Sequence, residues 1–483
     1  MTTHSLDART FDALGVPAAL SSVLADRGIT VPTPIQAATL PDSFAGRDVL
    51  GRGRTGSGKT YAFLLPLVAR LSDGRRAASR RPRALILAPT RELVGQIHAA
   101  LQPLAAQAGL SSITVFGGVG QHPQVTGLRK GADIVVACPG RLEDLIGQGH
   151  CDLGAVEVTV LDEADHMADL GFLPSVRRLL DRTPAGGQRL LFSATLDKAI
   201  DVIVKRFLVD PVTHQADSVQ SPIASMAHHV LHLHREQRLA VLIELTSAPG
   251  RTVVFTRTKH GAKALARQLN RSGVPSVELH GNLGQNARTR NLDAFHGGAA
   301  STLVATDIAA RGIHVDDVSL VVHADPPVEH KAYLHRSGRT ARAGAAGTVI
   351  TLMTDDQVRD VRSLTRLAGI NPVTTKVRDS GHPILVELAP GERTLVPGGY
   401  APVGRPADEA GGRSGTRGNG AGSNGGGRKR SGRGRGRSGG SRRGGAPQPG
   451  GRSSGKRGAG SGGGTRRGSG SSAHSAAGFS GRR

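Results

Sequence analysis

Two short stretches in the first half of the chain hold residues that could act on a nucleotide. GRTGSGKT (53–60) has the spacing of loops whose backbone N–H groups surround phosphate oxygens. Lys59 would reach the terminal phosphates, and the Thr60 hydroxyl could bind Mg²⁺. A Gly-rich turn could match this pattern by chance, but VLGR precedes it and YAFLLPLVARL follows as a predicted helix whose positive end would face the anion. The sequence therefore predicts a phosphate site formed by Thr55, Gly56, Ser57, Gly58, Lys59 and Thr60.

The second stretch is VLDEAD (160–165), in which three carboxylates follow an apolar run. On its own, such a triplet is typical of a solvated helix start. Beside a phosphate loop it has another role, because a bound cation neutralises carboxylates at the end of a strand. We therefore predict that Asp162 holds Mg²⁺, partly through water, and that Glu163 is the base that orients the attacking water. Asp165 is expected to couple this site to neighbouring loops.

The charge of the chain indicates a polyanionic partner. Its 483 residues carry a formal charge of +24, and the segment 404–483 holds 18 Lys or Arg against two acidic residues. This excess favours nucleic acid over membrane, since no apolar run approaches the roughly 20 residues of a bilayer span. The N-terminus lacks the layout of a secretory signal. Cys138 and Cys151 have no metal-like spacing, so we expect reduced thiols and a cytoplasmic protein.

Two series of short Val-, Ile- and Leu-rich runs must position these residues. Each run is followed by a longer segment with helical periodicity. Strands that are apolar on both faces and alternate with helices predict α/β domains with mainly parallel sheets covered by helices. The first series is RALILAP (83–89), DIVVAC (133–138), VEVTVLDEAD (156–165) and RLLFSAT (189–195), and the second is RTVVFTRT (251–258), STLVATD (301–307), VSLVVHAD (318–325) and GTVITLM (347–353).

Changes of composition divide the chain into domains and connecting segments. A polar stretch with two prolines separates the two series and predicts a linker. The tail is rich in Gly, Ser and Arg and almost free of apolar residues, so we expect it to be disordered and to add non-specific affinity for nucleic acid. The predicted parts are an N-terminal segment (1–37), a first domain (38–210), a linker (211–229), a second domain (230–375), a transition segment (376–403) and the tail (404–483).

Over roughly residues 9–372, the motifs resemble those of the DEAD-box ATP-dependent RNA helicases. The tetrad Asp-Glu-Ala-Asp is literal, and nine family motifs occur in family order. The resemblance implies two tandem RecA-like P-loop domains, with ATP and Mg²⁺ as cofactors. GITVPTPIQ (28–36) is similar to the family's adenine-recognising element, which implies that Gln36 meets the adenine edge and that Phe11 stacks nearby. ATDIAARG (305–312) implies a role for Asp307 in ATP binding.

The resemblance also implies RNA contacts in both domains and a coupling element. SAT (193–195) resembles the element that couples hydrolysis to strand separation, through Ser193 and Thr195. PTREL, the Gly117-Gly118 pair and PGR resemble the RNA-backbone contacts of the first domain, and the second domain has its own set. The implied RNA-binding residues are Pro89, Thr90, Arg91, Gly118, Pro139, Gly140, Arg141, Arg257, Arg288 and Thr306.

HRSGRTARAG (335–344) places His335, Arg339 and Arg342 at i, i+4 and i+7, which would share one face of a helix. Alone, this pattern is typical of a solvated basic face. With a phosphate loop on the other domain, the resemblance implies that Arg339 and Arg342 are arginine fingers that reach the γ-phosphate when the domains close. It assigns His335 to coupling.

Two positions depart from the family pattern. Cys138 stands where the family commonly has Thr, so one hydroxyl contact to RNA would be missing. His314 stands where the family usually has the Asp that meets the ATP ribose. We therefore expect nucleotide binding to be weaker or pH-dependent.

The sequence thus predicts an ATP-dependent RNA helicase whose RNA-stimulated hydrolysis is coupled to domain closure, local duplex unwinding and remodelling of ribonucleoproteins. It would bind single strands and short duplexes largely without sequence preference. Ribonucleoprotein or ribosomal partners are expected, and the Ala, Gly and Arg bias indicates a bacterial type. The alternatives are a DNA-directed superfamily 2 helicase or translocase, and an RNA clamp or chaperone that uses ATP as a latch. Ribosome assembly, messenger decay and cold adaptation remain equally open as its pathway.

Overall fold

A computed structural model describes residues 10–53, 56–196, 198–215, 226–310, 317–341 and 347–401. Within these ranges the chain forms two α/β lobes, the first ending with residue 215 and the second beginning with residue 226. No helix in the described ranges has the length and apolar character needed to cross a bilayer.

The first lobe is built on a parallel sheet in the order β3-β4-β2-β5-β6-β1-β7. Its strands are β1 (Val49–Arg52), β2 (Ala84–Leu87), β3 (Ser112–Val115), β4 (Ile134–Ala137), β5 (Val158–Asp162), β6 (Gln188–Ser193) and β7 (Val212–Gln215). Its helices are α1 (Ala18–Ala25), α2 (Pro34–Phe44), α3 (Lys59–Leu71), α4 (Arg91–Gln107), α5 (His122–Lys130), α6 (Pro139–Gly147), α7 (Ala164–Asp169), α8 (Leu173–Leu180) and α9 (Lys198–Phe207).

The second lobe repeats this strand order, as β10-β11-β9-β12-β13-β8-β14, again with parallel pairing. Its strands are β8 (Met226–His232), β9 (Arg251–Phe255), β10 (Ser276–Leu279), β11 (Thr302–Ala305), β12 (Val318–His323), β13 (Gly347–Met353) and β14 (Val373–Lys376). Its helices are α10 (Arg238–Thr246), α11 (Lys259–Arg271), α12 (Gln285–His296), α13 (Asp307–Ala310), α14 (His330–Ser337), α15 (Val358–Leu367) and α16 (Ile384–Leu388).

Apolar strands bury both faces of each sheet. In β2, Ala84 and Ile86 belong to one core cluster of the first lobe, whereas Leu85 belongs to the cluster on the opposite face. In β9, Val253 and Val254 divide in the same way between two clusters of the second lobe. Alternate residues of a strand point to opposite faces, so the continuous apolar runs produce this two-sided burial. The predicted fold class is confirmed.

Both sheets extend into the segment that the sequence predicts to be a linker. β7 pairs with β1 at the edge of the first sheet, and β8 pairs with β13 in the second. VTHQ in β7 is polar because its side chains are half-buried or exposed at the sheet edge, so its composition does not indicate a strand. Residues 216–225 lie outside the described residues.

The predicted transition segment is part of the second lobe. Residues 377–401, here called the strap, include α16, whose Leu385 and Leu388 are buried in a core cluster of this lobe. Arg393 Nε donates to Glu244 Oε1 of α10 at 2.7 Å, and Val396 N donates to the Gly273 carbonyl at 2.7 Å. The strap is thus held by core packing and by backbone and side-chain hydrogen bonds. The predicted tail lies outside the described residues.

Candidate functional site

The phosphate loop lies between β1 and α3, at the edge where the parallel strands of the first sheet end. Gly58 precedes α3 with φ 95°, a backbone conformation that glycine adopts at no steric cost. A Cβ atom at this position would overlap Thr33 Oγ1 and lie 2.8 Å from Gln36 Nε2. Glycine is therefore required both by the turn and by the close approach of α2. Arg54 and Thr55 lie outside the described residues.

Gln36 joins the start of α2 to the phosphate loop. Its Oε1 accepts a hydrogen bond from Thr33 N at 2.8 Å, and its Nε2 donates to the Gly58 carbonyl at 2.9 Å. Phe11, the other residue assigned to adenine, is 3% exposed and packs in a core cluster of the first lobe. Both polar atoms of the Gln36 amide are thus hydrogen-bonded within the protein. The adenine-binding roles of Gln36 and Phe11 stay predictions.

Lys59, the first residue of α3, is buried. Its Nζ atom and the buried Ser57 Oγ atom have no hydrogen-bond partner among the described residues. A buried ammonium group without a hydrogen bond is costly, which makes this loop a suitable place for an anion. Gly56 adopts φ 87°, and Thr60 is half-buried in the first turn of α3. The described part of the loop therefore fits the predicted phosphate site.

The acidic cluster begins where β5 ends. Burial raises the pKa of Asp162 to about 7, the charge of Glu163 acts in the same direction, and Lys59 opposes both. Burial would also raise the pKa of Glu163, but a hydrogen bond from His166 and the charges of Lys59 and Arg339 hold it well below its usual range. The Glu163 carboxylate is thus kept ionised, as a base that orients water must be.

Glu163 also has unusual backbone geometry. It adopts φ 51° and ψ 53°, a left-handed conformation that costs a residue with a side chain about 1–3 kcal/mol. His166 Nδ1 lies 3.4 Å from Glu163 Oε2. His166 was not predicted from the sequence, although its spacing of three residues from Glu163 in DEADH is a usable signal. The left-handed turn at Glu163 brings the buried side chains of Glu163 and His166 next to each other.

Three of the four residues assigned to coupling, Asp165, Ser193 and Thr195, lie together, whereas His335 belongs to α14 of the second lobe. Asp165 Oδ2 accepts hydrogen bonds from Thr195 N at 2.9 Å and from Thr195 Oγ1 at 2.8 Å. Asp165 N donates to Ser193 Oγ at 3.2 Å, and that hydroxyl donates to the Thr195 carbonyl at 2.7 Å. A buried carboxylate with this many donors connects the acidic cluster firmly to the end of β6.

The second lobe brings Arg339 to the acidic cluster. Arg339 is buried, and its charge is among those that lower the pKa of Glu163 in the other lobe. The sequence analysis expects His335 and Arg339 to share one face of a helix. This is wrong in one respect, because α14 ends at Ser337, two residues before Arg339. Gly338 and the hydrogen bond from Arg339 N to the Arg336 carbonyl tighten the chain there, although Arg339 Nε still donates to the His335 carbonyl at 3.4 Å. Arg342 lies outside the described residues.

Asp307, predicted to bind ATP, forms a two-point ion pair with Arg336. Its carboxylate accepts hydrogen bonds from Arg336 Nε at 2.5 Å and from Arg336 Nη2 at 2.8 Å. Arg336 is buried, whereas the Asp307 side chain is 31% exposed, so water reaches this pair from the Asp307 side. Arg336 was not singled out from the sequence, although it stands between two assigned residues of the same motif. His314, the other position assigned to the nucleotide, lies outside the described residues.

The RNA-binding residues predicted in the first lobe follow β2, β3 and β4 at the carboxyl edge of the sheet, and Pro89 and Pro139 among them are buried. A Cβ atom at Gly118, which has φ +77°, would overlap the Arg91 guanidinium. Arg141 Nη1 donates to the Val119 carbonyl at 3.4 Å. Thr90 Oγ1 caps α4 by accepting from Leu93 N at 3.2 Å. Pro89 precedes this cap, and Pro139 and Gly140 form the first turn of α6.

Arg288, whose RNA-binding role stays a prediction, contacts the first lobe. Its Nε donates to Glu92 Oε1 at 2.7 Å, and Gln285 Nε2 donates to the same oxygen at 3.2 Å. Arg91 Nη1 donates to Gln285 Oε1 at 3.0 Å. We call these four residues the clasp. Arg257 and Thr306, the other predicted RNA contacts of this lobe, follow β9 and β11 at the carboxyl edge of the sheet.

Burial would raise the pKa of Glu92, but the hydrogen bond and charge of Arg288 lower it below its usual value. The clasp therefore contains a carboxylate that is ionised and paired with the other lobe at neutral pH. Glu92 and Gln285 were not singled out from the sequence. Their role depends on the approach of two helices that are almost 200 residues apart in the chain.

Comparisons with known proteins agree with this arrangement. The family model of the DEAD/DEAH box helicase matches residues 33–203, and that of the helicase conserved C-terminal domain matches residues 235–344. DEAD-box ATP-dependent RNA helicase 3B, chloroplastic, of Zea mays is 41% identical over 74% of this chain and 49% of its own length. DEAD-box ATP-dependent RNA helicase 20 of Arabidopsis thaliana is 34% identical over 80% of this chain and 77% of its own length.

Among solved structures, S. cerevisiae Dbp5 bound to RNA and ADP BeF3 matches with a TM-score of 0.70 and 27% identity. The match covers 79% of this chain and 100% of that one. The chain spans about half the length of the two maize relatives that it matches.

Proposed function

Since the chain belongs to the DEAD-box family of ATP-dependent RNA helicases, we propose that it hydrolyses ATP when RNA is bound and uses the cycle to separate short RNA duplexes and remodel ribonucleoproteins. One observation carries the proposal. Arg339 of the second lobe acts electrostatically on Glu163 of the first, beside a buried Lys59 ammonium group that has no hydrogen-bond partner among the described residues. Guanidinium, carboxylate and ammonium groups together suit the hydrolysis of a phosphoanhydride.

Each residue has a separate task in this proposal. Lys59 and the loop amides hold the phosphates of ATP, and Glu163 orients the attacking water. Arg339, and by analogy Arg342, stabilise the charge that develops on the transferred phosphoryl group. Because these arginines belong to the second lobe, hydrolysis requires the lobes to be together.

We propose that Thr60 and Asp162 hold Mg²⁺, in part through water. The raised pKa of Asp162 supports this, since a carboxylate that is costly to ionise when buried gains from a nearby cation. When bound, Mg²⁺ would neutralise phosphate charge. Among the described residues no group of three His, Cys, Asp or Glu side chains that could hold a metal ion occurs.

RNA would lie along the carboxyl edges of both sheets. Arg91, Gly118 and Arg141 offer a surface on the first lobe, and the exposed Arg257 offers one on the second, where Thr306 is buried. Contacts of this kind recognise phosphates and sugars, so binding would be largely independent of sequence. Arg91 belongs to both this surface and the clasp, which makes RNA binding and lobe closure interdependent.

The test is steady-state ATP hydrolysis with no nucleic acid, with single-stranded RNA, and with DNA of equal length, alongside strand separation of a short RNA duplex. We expect RNA, but not DNA, to stimulate ATP hydrolysis, and we expect the enzyme to separate the RNA duplex. Equal stimulation by DNA would favour the DNA-directed alternative, and nucleotide binding without turnover would favour an ATP-latched clamp. Lys59→Ala should abolish hydrolysis, whereas Lys130→Ala, an exposed lysine of the same lobe, should not.

The cellular setting is proposed more broadly. Ribonucleoprotein or ribosomal partners fit an RNA-directed enzyme with a basic tail. A cytoplasmic location rests on the two cysteines, which are reduced thiols in this proposal. Comparing RNA crosslinked to the wild-type chain with RNA crosslinked to Lys59→Ala in cells would identify the pathway.

A further inference from the structure

Asp325 stands at a junction of contacts in the second lobe. It follows β12 at the carboxyl edge of the sheet, and its backbone N donates to the Phe255 carbonyl at the end of β9, at 3.1 Å. Its side chain is 24% exposed. The proposed reaction assigns no task to this residue, yet its carboxylate and its backbone carbonyl each bind a different functional segment.

The carboxylate fixes the loop that carries Arg257. Oδ2 accepts a hydrogen bond from Arg257 N at 2.8 Å, so the backbone of this proposed RNA contact is pinned, and Arg257 Nη2 donates to the Pro326 carbonyl at 3.5 Å. Oδ1 accepts from Nη2 of Arg238, the first residue of α10, at 2.6 Å. The ion pair with Arg238 holds the carboxylate in the orientation that Arg257 requires.

The backbone of Asp325 fixes the helix that leads to Arg339. Its carbonyl accepts from Arg336 Nη1 at 2.7 Å. The other guanidinium nitrogens of Arg336 bind Asp307, and the guanidinium carbon lies 5.1 Å from the centroid of the Phe255 ring. Arg336 is therefore held from three sides, and it lies three residues before Arg339.

We propose that Asp325 is a positioning residue that connects RNA binding at Arg257 with the placement of Arg336 and Arg339. The inference rests on the proposed function, because it concerns how RNA stimulates hydrolysis. A shift of the Arg257 backbone moves the Asp325 carboxylate, and the Asp325 backbone carries Arg336 with it. The Asp325 side chain contacts neither the phosphate loop nor the acidic cluster, and Asp325 reaches Asp307 only through its backbone carbonyl and Arg336, so replacing the side chain has a small effect on ATP binding.

The experiment measures ATP hydrolysis as a function of RNA at saturating ATP, and as a function of ATP at saturating RNA. Asp325→Asn keeps the size of the side chain but removes the charge that binds Arg238. We expect the RNA concentration for half-maximal stimulation to rise about tenfold, the effect of one charge-assisted hydrogen bond. The ATP concentration for half-maximal rate should change by less than about twofold, since the phosphate site is untouched.

Two further variants separate positioning from general stability. Arg238→Ala should raise the RNA requirement in the same direction but by less, and the double variant should not exceed Asp325→Asn alone. Asp355→Asn is the control, because Asp355 also follows a strand at this edge but pairs with His232 at 2.7 Å and with His234 at 3.7 Å rather than with an arginine. It should leave both half-saturation concentrations unchanged.

An unchanged RNA requirement in Asp325→Asn overturns the inference. A loss of rate that follows the melting temperature, with both half-saturation concentrations unaltered, also overturns it, because Asp325 would then be structural only. A wild-type chain that RNA fails to stimulate overturns the proposed function itself, before any variant is compared.

Discussion

Nε of Arg288 in the second lobe donates a 2.7 Å hydrogen bond to Oε1 of Glu92 in the first. The side chains are 10% and 9% exposed, so water screens the pair little. Removing one partner of a buried ion pair costs more than the pair itself contributes, because the other charge remains buried. The contact between the lobes is therefore sensitive to either residue.

We expect Arg288→Ala to weaken lobe closure and to lower RNA-stimulated hydrolysis by at least about tenfold, since Glu92 is left buried without its cation. Energy transfer between dyes on the two lobes measures closure, and the ATPase assay measures the rate. Arg290→Ala, an exposed arginine of α12, is the control. Undiminished closure in Arg288→Ala would show that the clasp is incidental.

The clasp should also open in acid. The pKa of Glu92 in the folded protein lies below its usual value of 4.5, so its ionised form contributes stability above about pH 4.5 and loses it as the pH falls through the lower folded value. Between about pH 6 and pH 8 the contribution is constant. Energy transfer measured from about pH 7 to pH 3 should fall at the acid end, and Glu92→Gln should remove that component. A wild-type profile identical to that of Glu92→Gln would refute this assignment.

Thr195→Val should uncouple hydrolysis from strand separation. The substitution removes the hydroxyl that donates to Asp165 at 2.8 Å but keeps the backbone donor at 2.9 Å. We expect duplex separated per ATP hydrolysed to fall several-fold, while hydrolysis itself changes by less than about threefold because Lys59 and Glu163 are intact. Thr183→Val, in the loop before β6, is the control. Equal losses in both activities would contradict a coupling role.

Two deletions should distinguish the strap from the tail. Removing residues 404–483 should weaken RNA binding and make its salt dependence shallower, by about 0.7 in slope for each phosphate that the tail neutralises, with maximal turnover retained. Removing residues 377–483 also deletes buried Leu385 and Leu388, and should lower the melting temperature by about 6–12 °C. Melting curves and salt titrations measure both. Equal melting temperatures would show that the strap does not stabilise the lobe.

Contiguous motifs could be predicted because their chemistry is local. The phosphate loop needs glycines and a lysine at fixed spacing, and Asp162 ends a strand that is apolar on both faces, so Lys59 and Glu163 could be assigned before the fold was known. Asp165 is assigned to coupling from its place in the acidic triplet, and Ser193 and Thr195 from the resemblance to a family; the three residues lie in contact.

Contacts between distant segments could not be predicted in this way. Glu92 and Gln285 look like ordinary polar positions of amphipathic helices, and only the approach of α4 to α12 gives them a task. The helix α14 ends at Ser337 because of Gly338 and the short-range hydrogen bond from Arg339 N to the Arg336 carbonyl. The helical periodicity of the sequence gives no sign of either effect. The strand β7 was not predicted because an edge strand need not be apolar.

The repeated strand order gives the Arg238–Asp325 pair a counterpart in the first lobe. Lys59 begins the helix after β1 and Asp162 ends β5; Arg238 begins the helix after β8 and Asp325 follows β12. The stretch before Arg238 reads LHREQ, with no glycine to admit a phosphate, and there the cation and the acid meet directly at 2.6 Å. In the first lobe the cation Lys59 and the acid Asp162 thus stand on either side of the proposed nucleotide site. In the second lobe the matching groups, Arg238 and Asp325, form an ion pair. The second lobe therefore has no phosphate loop at this position. It supplies Arg339 to the site of the first lobe.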